Sequence, residues 1–403
     1  MGKVIYTGAF RFPNGDAASQ RVLGIGKSLR SVGYDVIYCG WEQQPRKEDL
    51  TNGKYYYEGF EYYSQAELDI VNKNIFQKTY NFVFKGLRTI NWIKHYIKKE
   101  KIDYIISYNA NSLFLLILFL LCKRNNIKMI GDCTEWYGAN HLPGGKFGIP
   151  NLDNNLRIKT IYPLIKNVIV ISSFLKTYLD KKRCHTIIIP PLVDLKEEKW
   201  INSNIMDSTL SKPVIKLIYA GDPGNKDLLQ NIFDVLEIVN KHGTKFIFNV
   251  LGVKKEYFIN KYFKSELDIP SYINCYGRVP LNEVPKYYKQ NNFSILIREN
   301  KRYANAGFPT KLVESLSAGI PIIVNDTSDI TNYIKNNING FVVSNGKIQS
   351  ILDCLSKIEL IEQDVFNRMK IEAINTAINN FDYTNYNEKI KLYIQNLKNS
   401  WGK

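Results

Sequence analysis

The sequence lacks several features that would assign it quickly. Its six cysteines (Cys39, Cys122, Cys133, Cys184, Cys275 and Cys354) form no CxxC pair, and only Cys184 has a histidine beside it. That spacing resembles neither a zinc site nor a disulfide framework, so free thiols in a reducing, cytoplasmic compartment are expected. The one long apolar run, Leu113 to Cys122, has about half the roughly 20 residues that a membrane-spanning helix needs. It reads as a buried helix. Met1 runs almost directly into the strand-like Val4-Ile5-Tyr6, so no signal peptide is expected. There is no GxGxxG and no lysine-serine phosphate loop, which argues against a dinucleotide-dependent oxidoreductase. The four histidines (His95, His141, His185 and His242) are not clustered, although His141 opens a glycine-rich loop that could serve as a mobile acceptor-side element.

What is present is ample apolar material and an excess of cations. A chain of 403 residues, 45% of them hydrophobic and 23% charged, is expected to build two globular cores. The formal net charge is +16, and it is uneven: residues 1–190 hold 27 lysines and arginines against 15 carboxylates, the remainder 27 against 23. A basic first half suggests an anionic partner, either nucleic acid or the inner face of a membrane. Within it, Ile75 to Lys101 is especially basic. The spacing predicts a helix packed on the core with a solvated basic face, and a contact with an anionic membrane is the sharper reading. No nucleic-acid-binding motif accompanies the charge, so nucleic acid is not expected as a partner.

Strand-like runs at Lys3–Thr7, Asp35–Cys39, Asp103–Ser107, Lys128–Gly131, Asn167–Ile171 and Thr186–Ile189 alternate with longer segments, the pattern of a parallel, doubly wound sheet. Pro190-Pro191 closes this series, and the polar stretch Lys196–Lys212 reads as a linker. Alternation then resumes at Lys216–Ala220, Lys245–Val250, Ile273–Tyr276, Phe293–Leu296, Ile320–Val324 and Gly340–Val342. The expected domains are therefore 1–195, a linker 196–212, a second domain 213–382, and a final helical stretch 383–403 that folds back on the first. Ligands in such α/β sheets bind at the carboxyl ends of the strands, so two domains facing a central cleft are expected to share their site there.

Two lysines stand where helix physics disfavours them. In PTKLVESLSAG, Thr310 is a plausible N-cap and Gly319 a stop, which places Lys311 in the first turn, at the positive end of the dipole. In YAGDPGNKDLL, Gly221, Pro223 and Gly224 form a turn, and Lys226 is expected at the next helix start. Bound anion would reconcile both lysines with their positions. Arg298 follows an apolar strand directly and should sit at the carboxyl edge of its sheet. Asn305, Ala306 and Gly307 offer a loop of small residues whose amides could approach a ligand.

The order of these pieces (FRFPNGDAASQRV, ISSFLKTYL, PPLVD, YAGDPGNK, YGRVPLNEVPKYY and PTKLVESLSAGIPII) resembles the GT-B glycosyltransferases, most closely the retaining family four. The resemblance implies α/β GT-B architecture: two Rossmann-like domains, the first for acceptor and the second for a nucleotide sugar. It implies that Glu314 holds the ribose hydroxyls and that Lys226, with Lys311 and Arg298, neutralises the diphosphate. Gly277-Arg278-Val279 would contact the base, Gly221 and Gly307 would lie against the donor, and Gly15 would approach the diphosphate from the first domain. Asp132 and Glu135, in GDCTEWYG, are the acids expected to face the sugar. The chain departs from the family at Ala306, where the first acid of a pair normally stands, and at Asp222, where an arginine is common. The activity implied is sugar transfer with retention, from a nucleoside diphosphate sugar (UDP favoured) to a saccharide or polyprenyl-linked acceptor in surface-polysaccharide synthesis. No metal and no cofactor are implied. The alternative is a catalytically silent partner that binds nucleotide sugar or another transferase.

Overall fold

A computed structural model describes residues 2–41, 45–67, 74–201, 210 and 214–399. The chain divides into two compact units, Met1–Leu192 with Tyr383–Lys403, and Val193–Asp382. Of the expected linker, 202–209 and 211–212 lie outside the described residues; the part before them includes a short helix at Glu198–Ile201.

The first unit is built on β1 (Gly2–Gly8), β2 (Tyr34–Gly40), β3 (Leu50–Thr51), β4 (Lys54–Tyr57), β5 (Phe60–Ser64), β6 (Tyr104–Tyr108), β7 (Lys128–Cys133), β8 (Asn167–Val170) and β9 (His185–Ile188). These make one nine-stranded sheet in the order β3-β4-β5-β2-β1-β6-β7-β8-β9. Six of the parallel strands, β1, β2, β6, β7, β8 and β9, match the expected apolar runs to within a residue or two. Residues 50–64 add β3 and β4, which pair antiparallel, and β5, which joins β2 in parallel. The ribbon was hidden because its tyrosines are interrupted by Lys54, Glu58 and Glu61 and it has no continuous aliphatic run.

The helices of this unit that bear on function are α1 (Ala17–Ser31), α2 (Ile75–Phe84), α3 (Leu87–Lys99), α4 (Ser112–Arg124) and α5 (Ile149–Leu156). Helix α1 starts with a capping box, Asp16 accepting from the Ser19 amide at 2.8 Å. The single basic helix expected across Ile75–Lys101 is two helices. Gly86, at φ +101°, separates them, and a Cβ there would fall 2.3 Å from the Phe114 ring. Helix α4 buries Phe114, Leu115, Leu118 and Cys122 but leaves Leu120 exposed, so it is half-buried.

The second unit carries β10 (Ile215–Ala220), β11 (Phe246–Leu251), β12 (Ile273–Gly277), β13 (Phe293–Leu296), β14 (Ile322–Asn325) and β15 (Gly340–Val343). All are parallel, in the order β12-β11-β10-β13-β14-β15. Order reverses at β10, the switch point at which doubly wound sheets open a crevice at their carboxyl ends. Helices α6 (Leu229–Val239), α7 (Arg302–Ala306), α8 (Thr310–Ser317) and α9 (Gln363–Asn380) cover it. Phe366 of α9 packs on Phe293 with ring centroids 5.2 Å apart. The chain then returns to the first unit as α10 (Asn387–Asn399). Ile390, Tyr393, Ile394 and Leu397 join its core beside Val22, Ile25 and Ile189. Among the described residues no helix is long and apolar enough to cross a membrane.

Candidate functional site

At the switch point of the second unit the sheet ends in glycines. Gly221, Gly252 and Gly277 close or follow the adjacent strands β10, β11 and β12, with φ of +117°, +86° and +74°. They nest closely: the Gly252 amide donates to the Gly277 carbonyl at 2.7 Å, and a Cβ on Gly252 would lie 2.6 Å from the Gly221 Cα. A Cβ on Gly221 would lie 2.6 Å from the Lys311 Cε. Gly221 is therefore small because the stem of Lys311 passes over it.

The Lys311 ammonium already has an anion, and it is a side chain. Its Nζ donates to Asp227 Oδ2 at 2.8 Å and to the Asp222 carbonyl at 3.3 Å, and it also donates to the Tyr219 hydroxyl. Tyr219 in turn donates to Asp227 Oδ2, and its ring centroid lies 4.1 Å from the ammonium. From β13, Arg298 Nε donates to Asp227 Oδ1 at 2.7 Å, and Arg298 is steadied by Asn325, whose Oδ1 accepts from its amide at 2.8 Å. Burial opposes ionisation of Asp227, yet Arg298, Lys311 and the Tyr219 hydroxyl hold its carboxyl well below the usual carboxylate range. Burial lowers the Lys311 pKa, with Asp227 pulling it back and Arg298 adding to the fall. Two cations on one carboxylate leave one positive charge at a largely desolvated sheet edge, a setting that attracts an anion.

Glu314 lies one helical turn beyond Lys311 on α8, half-buried. Among the described residues no side chain or backbone group hydrogen-bonds its carboxylate. Burial pushes its pKa up, against the pull of Lys311 and Lys199. A half-buried acceptor without a protein donor suits a ligand that brings hydroxyls.

Several expectations need correction. Lys226 is not at a helix start: α6 begins at Leu229, and Lys226 is half-buried in the turn 223–227, its amide donating to the Pro223 carbonyl at 3.0 Å. Thr310 is the first residue of α8 and Pro309 its cap position. Asn305 and Ala306 belong to α7, and the Gly307 amide donates to the Tyr303 carbonyl at 3.3 Å, so amides expected to be open are used. Ala306 is wholly buried and presents nothing to a ligand. Arg278 is exposed, directly after Gly277.

In the first unit, Asp132 was expected to face a sugar and does not. It is fully buried, accepting from Arg21 Nη2 at 2.7 Å, from Arg21 Nε at 3.1 Å and from the Tyr6 hydroxyl at 2.6 Å. Arg21 also donates to the Ile189 carbonyl at 2.8 Å, so the pair ties α1 to β7 and to the end of β9. Glu135 is half-buried beyond β7 and takes a hydrogen bond from the Tyr137 side chain. Gly15 is exposed in the turn before α1, where a Cβ would meet the Arg11 Cβ at 2.5 Å.

The sheet edge thus brings together Gly221, Arg298, Lys311 and Glu314, with Lys226 on the same turn as Asp227. Sequence reasoning missed Asp227, Tyr219 and Lys261, whose Nζ reaches the Gly224 carbonyl. The available signal was the acid next to Lys226.

Residues 207–376 match the family described as glycosyl transferases group 1. A curated relative is the Escherichia coli UDP-Gal:alpha-D-GlcNAc-diphosphoundecaprenol alpha-1,3-galactosyltransferase, 30% identical over 94 residues, which are 23% of this chain and 24% of that protein. Among solved structures, sucrose-phosphate synthase from Thermosynechococcus elongatus superposes with a TM-score of 0.73 at 12% identity, covering 99% of this chain and 100% of that one. HepE from Anabaena, in complex with UDP and glucose, gives 0.65 at 12% identity, covering 98% and 100%. At such identities the structural likeness speaks for the fold.

Proposed function

We infer that this chain, which has the GT-B fold of two Rossmann-like domains and whose residues 207–376 belong to the group 1 glycosyl transferases, is a retaining hexosyltransferase. It takes a sugar from a nucleoside diphosphate sugar, UDP before GDP, and delivers it to a hydroxyl of a saccharide or polyprenyl-linked saccharide in surface-polysaccharide synthesis. A polyprenyl-linked acceptor would bring a cytoplasmic protein to the inner face of the membrane. The observation that carries the reading is the Asp227 cluster beside the Glu314 carboxylate at one sheet edge.

In this reading Arg298 and Lys311, preset by Asp227, meet charge that builds on the departing diphosphate, with Lys226 beside them. Such electrostatic preorganisation acts most strongly where water is scarce. Glu314 accepts the ribose hydroxyls, Gly221 and Gly307 lie against the donor, and Arg278 lies near the base. Glu135 is the candidate acid of the first unit. The leaving group is neutralised by these cations without a metal ion.

The support from relatives is of two kinds: the Escherichia coli protein is a transferase named for a UDP-sugar donor and a lipid-linked acceptor, and the Anabaena fold neighbour binds UDP. The buried Ala306, where an acid normally stands, favours a second reading, a silent partner that binds nucleotide sugar without turning it over.

Calorimetry with UDP, GDP, ADP, CMP and their sugar conjugates tests the donor site. One preferred diphosphate nucleotide is the expected outcome, and no binding at millimolar concentration would overturn the reading. Slow hydrolysis of the preferred donor without acceptor separates enzyme from silent partner.

A further inference from the structure

Helix α2 wears its aromatic residues on the outside. Phe76, Tyr80 and Phe84, spaced i, i+4, i+8, form one stripe, with Phe76 83% and Tyr80 62% exposed. A second apolar strip lies on α5 and the turn before it, where Phe147 is 84% and Leu152 57% exposed and Leu156 also faces solvent. Single exposed apolar residues are ordinary; two strips on neighbouring elements are not.

The two strips flank the start of α4. Asn111 Nδ2 donates to the carbonyls of Phe82 at 3.1 Å and Lys85 at 2.9 Å, fixing the end of α2. The next residue, Ser112, donates its amide to Asp153 Oδ1 at 2.8 Å, fixing α5. Adjacent residues at the start of α4 thus anchor the two elements that carry the strips.

The charge around this face has one sign. Residues 75–99 contain no carboxylate at all, and residues 142–162 contain only Asp153, which is engaged by Ser112. Lys78, Arg88 and Lys146 are exposed beside the apolar strips. Exposed aromatics rimmed by cations match the interface of an anionic bilayer, where rings enter the headgroup layer and ammonium groups meet phosphate.

We propose that this face, the α2 stripe together with the Phe147–Leu156 strip, is a docking surface for an anionic lipid bilayer. The protein lies on the membrane through two shallow apolar wedges and a basic rim. The inference deepens the membrane side of the transferase reading but stands on the geometry of the first unit alone.

The test is sedimentation of the full chain with vesicles of mixed phosphatidylglycerol and phosphatidylcholine, and with phosphatidylcholine alone. Binding should favour the anionic vesicles by about tenfold or more. The double variant Phe76→Ser/Phe147→Ser should lose about tenfold in vesicle affinity with its melting temperature and UDP affinity unchanged. The charge-reversed pair Lys78→Glu/Lys146→Glu should lose at least as much. Failure of the parent chain to prefer anionic vesicles overturns the proposal, as does full binding by the Phe76/Phe147 variant. Concentration-dependent dimerisation without vesicles, abolished by that variant, would instead make the face a contact between two copies and also overturn it. Absence of UDP binding by the parent chain would strike the transferase reading and leave this one standing.

Discussion

A lysine in the first turn of a helix demands an anion, and the residue that answers Lys311 is Asp227, 84 positions earlier in the chain. Arg298 was legible as a cation at a sheet edge because it follows an apolar run, and Lys311 as a cation in want of an anion because it stands in the first turn of a helix. Asp227 was not, because a carboxylate beside a lysine in a polar turn carries no sign of the two distant cations that meet it. Its replacement, Asp227→Asn, leaves both cations without their counter-charge and should cost about 3–5 kcal/mol in denaturant unfolding. The sign with pH follows from its depressed pKa. Stabilisation by ionised Asp227 is complete above the unfolded value of about 3.9 and is lost as pH falls through the lower folded value. The stability gap between parent and Asp227→Asn should therefore be full above about pH 4 and shrink below it. Glu314 runs the other way. Burial raises its pKa, so nucleotide affinity that needs its carboxylate should fade on acidification at higher pH than an ordinary glutamate's. Glu314→Gln should weaken nucleotide binding by about 1–3 kcal/mol and flatten that pH dependence in calorimetry. Unchanged affinity would remove Glu314 from the site.

At the scale of elements, the parallel strands were readable because strands covered on both faces are continuous apolar runs. The ribbon β3–β5 was not, since Lys54, Glu58 and Glu61 interrupt its tyrosines and it has no aliphatic run. Nor was the break between α2 and α3, which depends on how closely Phe114 approaches Gly86. The outward turn of Phe76 and Tyr80 escaped for a related reason. Their spacing fits a buried face as well as an exposed one, and only the surrounding elements decide which. Three glycine-terminated strands make the carboxyl edge of the second sheet intolerant of side chains. Gly252→Ala must both hold φ near +86° and push a methyl to 2.6 Å from the Gly221 Cα. It should lower stability by about 1–3 kcal/mol and, by shifting the backbone under Lys311, weaken nucleotide binding as well. A variant with parental melting temperature and affinity would show that this edge yields more easily than its packing suggests.

At the scale of the molecule, the two-sheet organisation could be read from the alternation of runs, and the helical tail from the absence of any strand after it. Which chain segments complete which core could not, because amphipathic helices carry no address. Helix α10 supplies Ile390, Tyr393, Ile394 and Leu397 to the core of the first unit. Truncation after Asp382 should therefore lower the melting transition of that unit while leaving the second nearly unmoved, as differential calorimetry would resolve. The second unit is an insertion whose ends meet: the Val193 amide donates to the Phe381 carbonyl at 2.9 Å. A chain emerging from a ribosome has thus released all of Val193–Asp382 before the first unit receives its last core residues. The segment made first is finished last, and through most of synthesis the nascent first unit waits with the groove for α10 uncovered, the stage at which a chaperone has most to protect.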